Sequence, residues 1–595
     1  MAVSGSEERR WLVLDGPVDA VWVENLNTVL DDNKKLCLMS GEIIQMPGKM
    51  SVIFETCDLE EASPATVSRC GMIYMESKEL GWRPLKDSYL ASLPGAVKTE
   101  VRQMMDQVIE WLLPPLLNFV MSRCKFMIQT SELHLFQSFT RLLDAHLDEV
   151  READKPLGPK ISEDKLTYLL QYVIIFVLPW SLGSTITGAS RHMFDQFYRK
   201  LLQGKVDGSS KPESFKLTKG MLPPESGLVY DFIYEKEMQR WVSWHDTINQ
   251  DHLTIPSDAK VSQLLIPTAE TARQDFFLRS CIDHDVPMLL IGPTGTGKTA
   301  LTNATLTHLP KDKFIVNTVH FSARTSAGQA QDIIMSKVDR RRKGVFGPAM
   351  GRKYVVFVDD VNLPQKEMYG AQPPIEFLRQ WLDHHHFYDK KDTSKIELVD
   401  SLFLGAMTPP STGRNNICGR FTRHLNIMCI DTFEDKTLDK IFGSIMTWHF
   451  STQEDENIQR LSKTVVEATR KVYKNIISTF LPTPAKSHYV FNLRDFSRVV
   501  GGILLVPNTC LNTVDKVIRL WLHETYRVFH DRLCDDNDRQ EFFMIVKDIC
   551  QETFRLELNS VLTHLIKEEE DIDAQHLNNL IFGNFMILMQ KIQKK

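Results

Sequence analysis

The chain has 595 residues, 43% hydrophobic, 25% charged and 9% aromatic, with a formal net charge of −6, an ordinary folded composition with room for several compact units. So mild an acidity excludes the basic field that gathers nucleic acid or coats an anionic membrane. The 10 cysteines, scattered without a C-x-x-C pair, read as reduced thiols of a cytosolic compartment, and MAVSGSEERR (1–10) lacks the apolar stretch of a secretory signal.

In chain order, WLVLDG (11–16) predicts an apolar strand ending on Asp15, and VWVENLNTVLDD (21–32) has helical apolar spacing. MSVIFET (50–56) and GMIYME (71–76) predict two further strands. Residues 97–203 change to long helical periods, with breaks expected at Pro114–Pro115 and at Pro179. Within them YLLQYVIIFVLPWSLG (168–183) is the most apolar run; its length, Gln171 and Pro179 favour a buried core helix over a membrane span. The Gly/Ser/Pro/Lys-rich stretch 204–227 predicts a linker or surface loop. Strand and helix then alternate again through PMLLIG (287–292), KFIVNTVHFS (313–322), KYVVFVDD (353–360), SLFLGAM (401–407) and LNIMCID (425–431), which suits a parallel sheet with crossover helices. From 434 onward the pattern is helical. The order α/β, helical, α/β, helical is an internal repeat of two-part modules, the first without its front.

GPTGTGKT (292–299) satisfies G-x-x-x-x-G-K-[ST] between a predicted strand and a predicted helix, the context that such a match requires. Gly292, Pro293, Thr294, Gly295, Thr296 and Gly297 would turn backbone N–H groups toward phosphate oxygens. Lys298 would reach the β/γ-phosphates, and the Thr299 hydroxyl would ligate Mg²⁺. Downstream, Asp359 ends an apolar strand and suits a water-mediated Mg²⁺ contact. Asp360 follows, where a carboxylate orients the attacking water; being one methylene shorter than Glu, it predicts slow turnover, since misplacement by about 1 Å is costly. In the opening strand Asp15 takes the place of Asp359 and Gly16 the place of Asp360, so that strand offers no general base.

Several blocks now carry a resemblance. WLVLDGPVDAVWVENLNTVLDDNK, LCLMSGEII, ASPATVSRCGMIY, GPTGTGKT, FVDDVNLPQKEMYGAQPPIEFLRQW, FTRHLN and HYVFNLRDFSRV closely resemble dynein heavy chains, and YGAQPPIEFLRQ is axonemal in style. The resemblance covers nearly the whole chain: the back of the second AAA+ module of a motor ring, then the third. It implies an α/β fold with α-helical lid domains, as tandem P-loop NTPase modules with the first truncated. The implied division is 1–80 for the end of the second large subdomain, 81–203 for its lid, 204–227 for a linker, 228–433 for the third large subdomain and 434–595 for its lid. It implies ATP or ADP and Mg²⁺ as ligands, and a parent that is an ATP-driven, minus-end-directed microtubule motor of the ciliary or flagellar axoneme. Implied partners are neighbouring ring modules, intermediate and light chains and microtubules, with neither nucleic acid nor membrane.

The resemblance also implies roles. Ile266, Pro267 and Thr268, in a strand-like stretch, would line an adenine pocket. Thr408 falls where the γ-phosphate sensor is often Asn, and Arg494 matches a lid arginine that reaches the γ-phosphate. Asn492 and Asp495 fit a helix start that would aim it. Arg69 matches the finger that a module inserts into the preceding module's site. Arg420 and Arg423 are equivalent candidates, and spacing does not choose between them. A regulatory ring segment is the first reading; a non-motile fragment with a structural nucleotide, or another P-loop regulatory ATPase, are the alternatives. Two tempting features are set aside: HHH (384–386) as a helix-end turn rather than a zinc site, and RRRK (340–343) as a solvated hairpin rather than a nucleic-acid patch.

Overall fold

The computed structural model describes residues 9, 11–14, 18, 20–56, 58–155, 158–159, 161–212, 215, 219–236, 238–248, 264–368, 370–411, 413–451, 453, 455–507, 510–563 and 572–583. Asp15 and Gly16 lie outside them. In chain order the strands are β1 (Lys35–Cys37), β2 (Ile43–Gln45), β3 (Phe232–Glu235), β4 (Arg240–Ser243), β5 (Met288–Ile291), β6 (Phe314–His320), β7 (Asp339–Arg342), β8 (Val345–Gly347), β9 (Lys353–Asp359), β10 (His386–Tyr388), β11 (Lys395–Leu398), β12 (Ser401–Met407) and β13 (Asn426–Cys429). Two units divide the chain: Met1–Leu222 with Leu278–Ile291 and Thr305–Cys429, and Pro223–Phe277 with Gly292–Ala304 and Ile430–Lys595.

The first unit is built on a five-stranded sheet in the order β13-β5-β12-β9-β6, parallel throughout. All five strands are those predicted between 287 and 431. β5, β9 and β12 are apolar and almost wholly buried because a parallel sheet is covered on both faces. The helix Pro373–His384 packs Ile375, Leu378 and Trp381 into the same core as Val356 and Phe403. A side sheet, β10-β11-β8-β7, holds RRRK in the β7–β8 hairpin, which turns at Gly344 with φ +75. His385 closes the helix Pro373–His384 in the left-handed region, as expected of a helix-end turn. Among the described residues no group of three His, Cys, Asp or Glu could hold a metal ion.

The predicted strands 50–56 and 71–76 do not form, nor do the described residues 11–14 of the first. Trp11 is 80% and Ile73 88% exposed. An all-apolar strand is stable only between neighbours that pair its backbone, and no described strand pairs with these segments. The small hairpin β1–β2 forms instead. The helical spacing of 21–32 is borne out by Ala20–Val23, the 3₁₀ turn Glu24–Leu26 and Asn27–Leu30.

The helical part of this unit corrects the expected breaks. Thr99–Arg123 runs straight through Pro114 and Pro115, and Glu163–Ser181 through Pro179. Proline removes the N–H that would bond the carbonyl four residues back. Tyr198 Oη donates to the Ile175 carbonyl at 2.9 Å and Ser209 Oγ to the Trp111 carbonyl at 3.3 Å, replacing the donors lost at Pro179 and Pro115. The apolar run is a core helix, buried continuously from Leu169 to Ser181, and among the described residues no helix is long and apolar enough to cross a membrane. Part of 204–227 is docked, with Phe215 buried against the Trp111 ring at 5.4 Å.

β13 lies at the edge of the sheet, and the helical part covers it. Ser184 Oγ donates to the Ile427 carbonyl at 2.7 Å, and Cys429 N to the Ser184 carbonyl at 3.0 Å. Arg191 donates to the Cys429 carbonyl and Ser138 to the Asn426 side chain. His134 Nε2 meets the Leu425 carbonyl at 2.8 Å.

The second unit contains the hairpin β3–β4 and the long helices Asp435–Phe450, Glu456–Thr479, Leu493–Leu504, Val514–Val528 and Asp536–Phe554. They share a core that includes Val465, Phe496, Trp521 and Phe542, and the Trp521 indole donates to Thr469 Oγ1 at 2.9 Å.

Tyr198→Phe strips the Ile175 carbonyl of this donor inside the core and is expected to cost about 1–3 kcal/mol by chemical denaturation. In a Pro179→Ala background, where the backbone N–H returns, the same substitution should be nearly neutral; equal costs in both backgrounds would refute the replacement. A second expectation concerns pH. Burial pushes His134 down to about 4, opposed in part by its bond to the Leu425 carbonyl and reinforced by Arg141 and His424. The unfolded imidazole takes its proton near pH ~6.5. Between these values the unfolded chain binds the extra proton, so stability contributed above pH ~6.5 is lost as the pH falls toward 4. His134→Gln should flatten the fall of the unfolding midpoint over this window.

Candidate functional site

The phosphate-type loop belongs to the second unit, where its glycines have separate reasons. A Cβ on Gly292 would stand 2.3 Å from the Ile430 carbonyl oxygen. Gly295 and Gly297 have φ +93 and +79, the left-handed region that costs an L-residue about 1–2 kcal/mol. Thr296 is buried and its hydroxyl donates to the Pro293 carbonyl at 3.0 Å. The helix Lys298–Thr307 starts immediately after Gly297, so its first N–H groups gather at the loop. Lys298 is buried; its ammonium donates to the carbonyls of Gly292 at 2.6 Å and Pro293 at 2.7 Å. Thr294 and Thr299 flank this curl, Thr299 as the second residue of the helix.

Arg494 is carried to the same loop. A Cβ on Gly295 would lie 3.0 Å from Leu493 Cβ and 3.3 Å from Arg494 N. Asn492 begins the helix Leu493–Leu504 as predicted: its Oδ1 accepts from Arg494 N at 2.9 Å, while Asp495 Oδ2 accepts from Asn492 N at 3.0 Å. Asp495 is buried and clamped by Arg532 at 2.6 Å and Arg498 at 3.0 Å. The helix start is therefore fixed, and Arg494, exposed and without an ion pair among the described residues, projects from its first turn. Also in this unit, Ile266 and Thr268 are buried beside Pro267. No strand is assigned to the stretch, and Thr268 starts the helix Ala269–Asp283, its Oγ1 accepting from Thr271 N at 3.3 Å.

The carboxylates belong to the first unit. Sheet register aligns the carboxyl ends of its strands: Ile291 beside Met407, Ala406 beside Asp359, Asp359 beside His320. Asp359 Oδ1 accepts from Asp360 N at 3.1 Å, and its Oδ2 stands 3.7 Å from His320 Nδ1. Asp360 sits at φ +54, and its Oδ1 is 3.1 Å from Arg414 Nη1. Thr408 follows β12, and its Oγ1 is buried without a hydrogen-bond partner among the described residues. The Thr408 carbonyl accepts from Asn362 Nδ2 at 2.8 Å, and Asn415 N donates to the Asn362 carbonyl at 3.1 Å. The loops after β9 and β12 are thereby tied together. Arg414, Asn362 and Asn415 were missed in the sequence; the signal for Arg414 was a lone cation in a Gly-containing turn six positions past Thr408.

The three finger candidates also lie in the first unit. Arg69 caps the helix Pro64–Ser68, donating to Asp31 at 2.5 Å and to the Ala65 carbonyl at 2.7 Å. Arg423 donates to Asp383 Oδ1 at 2.7 Å. Burial works against the Asp383 charge, yet His424, Arg423 and Arg379 hold it below the usual carboxylate range. Arg420 is half-buried on the helix Gly419–Thr422 and has no ion pair among the described residues.

Three family models match the chain: "P-loop containing dynein motor region" over 253–433, "Dynein heavy chain AAA lid domain" over 105–246 and "AAA+ lid domain" over 465–563. Dynein axonemal heavy chain 3 of Homo sapiens is 54% identical over 588 residues, which is 98% of this chain and 14% of that protein. Dynein axonemal heavy chain 12 of Rattus norvegicus is 45% identical over 98% of this chain and 19% of its own length. Dynein axonemal heavy chain 1 of Mus musculus is 40% identical over 91% of this chain and 13% of its own length. The chain thus spans less than one fifth of these relatives.

The loop glycines give a graded expectation. Gly295→Ala combines positive φ with a 3.0 Å approach to Leu493 Cβ, whereas Gly297→Ala has positive φ but only a 4.0 Å contact with Phe433. Denaturant unfolding should show a loss of about 1–2 kcal/mol for Gly297→Ala and more for Gly295→Ala.

Proposed function

This chain belongs to the dynein heavy-chain family, and from that premise we propose that it serves as a regulatory ATP-binding segment of the AAA+ motor ring of an axonemal dynein. The whole motor would be ATP-driven and minus-end-directed on microtubules, working in the cilium or flagellum with neighbouring ring modules and with intermediate and light chains. Residues 1–80 and 81–203 are assigned to the second module, 204–227 to a linker, and 228–433 and 434–595 to the third.

The observation that carries the nucleotide reading is the close approach of Gly295 to the start of the helix Leu493–Leu504, which sets Arg494 beside the phosphate-type loop. The loop has the donor set for phosphate: helix-start N–H groups, left-handed glycines and the Lys298 ammonium. Thr299 and Asp359 are the residues we assign to Mg²⁺, which would supply charge neutralisation of the β- and γ-phosphates. Ile266, Pro267 and Thr268 are assigned to adenine, Thr408 and Arg494 to sensing the γ-phosphate, and Asp360 to orienting water. Slow turnover accords with the short arm of Asp360 and the short reach of Thr408. Arg69 is proposed to act on the preceding module, for which its guanidinium must exchange Asp31 for a phosphate. Arg420 is favoured over Arg423 as the second finger because Arg423 is already spent on Asp383.

Calorimetry with Mg²⁺ and ATP or ADP tests this. One nucleotide per chain is expected, and Lys298→Ala should abolish detectable binding while the unfolding midpoint without nucleotide stays close to the parent's. Two sites, or an unchanged affinity in the variant, would sink the assignment.

A further inference from the structure

We propose that Arg414 is a positioning residue that restrains Asp360 and thereby sets the rate of hydrolysis at the nucleotide site; this rests on the reading of Asp360 as the water-orienting carboxylate. In that step the water oxygen bonds to the γ-phosphorus, the bond to the β–γ bridging oxygen breaks to leave ADP, and the proton shed by water passes to Asp360 and on to solvent. A carboxylate serves there through its free lone pairs, and an oxygen already facing a guanidinium is a poorer acceptor for water.

The geometry holds this contact from both sides. Asp360 is placed by backbone: φ +54 turns it out of the line of β9, and Leu363 N bonds back to its carbonyl at 3.0 Å. Arg414 is placed by a turn in which Ser411 and Arg414 exchange both backbone hydrogen bonds, at 3.2 and 2.8 Å. Its Nη1 is closed off from solvent and has no hydrogen-bond partner among the described residues, so the 3.1 Å ion contact with Asp360 Oδ1 is what offsets its burial. Asn362, fully buried, ties the two loops together through the Thr408 carbonyl and Asn415 N. The sensor threonine and the restraining arginine thus sit on one loop, and a shift of that loop moves both. Arg414 and Asp360 side chains are 25% and 38% exposed, so the contact is of the moderate strength that a conformational change can break.

Single-turnover hydrolysis by the whole 595-residue chain tests the restraint. Arg414→Gln should raise the rate about two- to fivefold with ATP affinity by calorimetry unchanged. Arg414→Lys, which restores a cation, should give back most of the restraint, and the gain from Arg414→Gln should vanish in an Asp360→Asn background. Without nucleotide, the unfolding midpoints of Arg414→Gln, Asp360→Asn and the double variant should be non-additive, as for a paired contact. If Asp360→Asn slows turnover but Arg414→Gln leaves it unchanged or slows it too, the restraint is wrong and the reading of Asp360 survives. If Asp360→Asn leaves turnover unaltered, or neither the parent nor Arg414→Gln hydrolyses ATP, the reading of Asp360 falls and this proposal with it.

Discussion

Closure of the β13 edge is the constraint on which the first unit depends. A parallel sheet that ends on a buried strand must still satisfy that strand's outward N–H and C=O groups, because each one left bare costs about 1–3 kcal/mol. Here the helical part supplies the partners one by one: Ser184 through its hydroxyl and its carbonyl, Arg191 through its guanidinium and His134 through its ring. Side chains and one backbone carbonyl, rather than a sixth described strand, therefore end the sheet. Because β5 is paired to β13 on one side and β12 on the other, the closure also fixes the strand that delivers the chain to the phosphate-type loop.

The same accounting of polar groups explains why prolines sit harmlessly inside two long helices. A carbonyl deprived of its N–H is tolerable in a core only if another donor arrives, and Tyr198 and Ser209 arrive. At the loops after β9 and β12 the accounting is left incomplete: Thr408 Oγ1 and Asn362 Oδ1 are buried without hydrogen-bond partners among the described residues.

Sequence patterns disclosed the five parallel strands because each is a short apolar run closed by turn residues, and they disclosed the phosphate-type loop because its spacing is tied to a strand and a helix. They misjudged Pro114, Pro115 and Pro179, since a proline's effect is decided by distant hydroxyls that local pattern does not reveal. They misjudged 50–56 and 71–76 for the reverse reason: apolarity marks a willing strand, and only partners make one. Asn492 and Asp495 were legible because a capping box is local. Arg414 was not, because its meaning lies in a contact between two loops far apart in sequence.

Lys298 carries a consequence for selectivity. Its ammonium has three protons to give; the carbonyls of Gly292 and Pro293 accept at 2.6 and 2.7 Å and Thr296 Oγ1 at 3.4 Å. An arriving anion therefore meets a cation that is already solvated by its own loop, and recruitment is an exchange of ligands rather than a capture. The net gain is the difference between charge-assisted bonds to phosphate and those to these oxygens of the loop. A singly charged anion with one good acceptor gains little from that exchange. A polyphosphate, which presents several oxygens to the lysine and the helix start together, gains on every contact. The loop carries an internal competitor that weak anions fail to displace, so discrimination begins before any base or sugar is read.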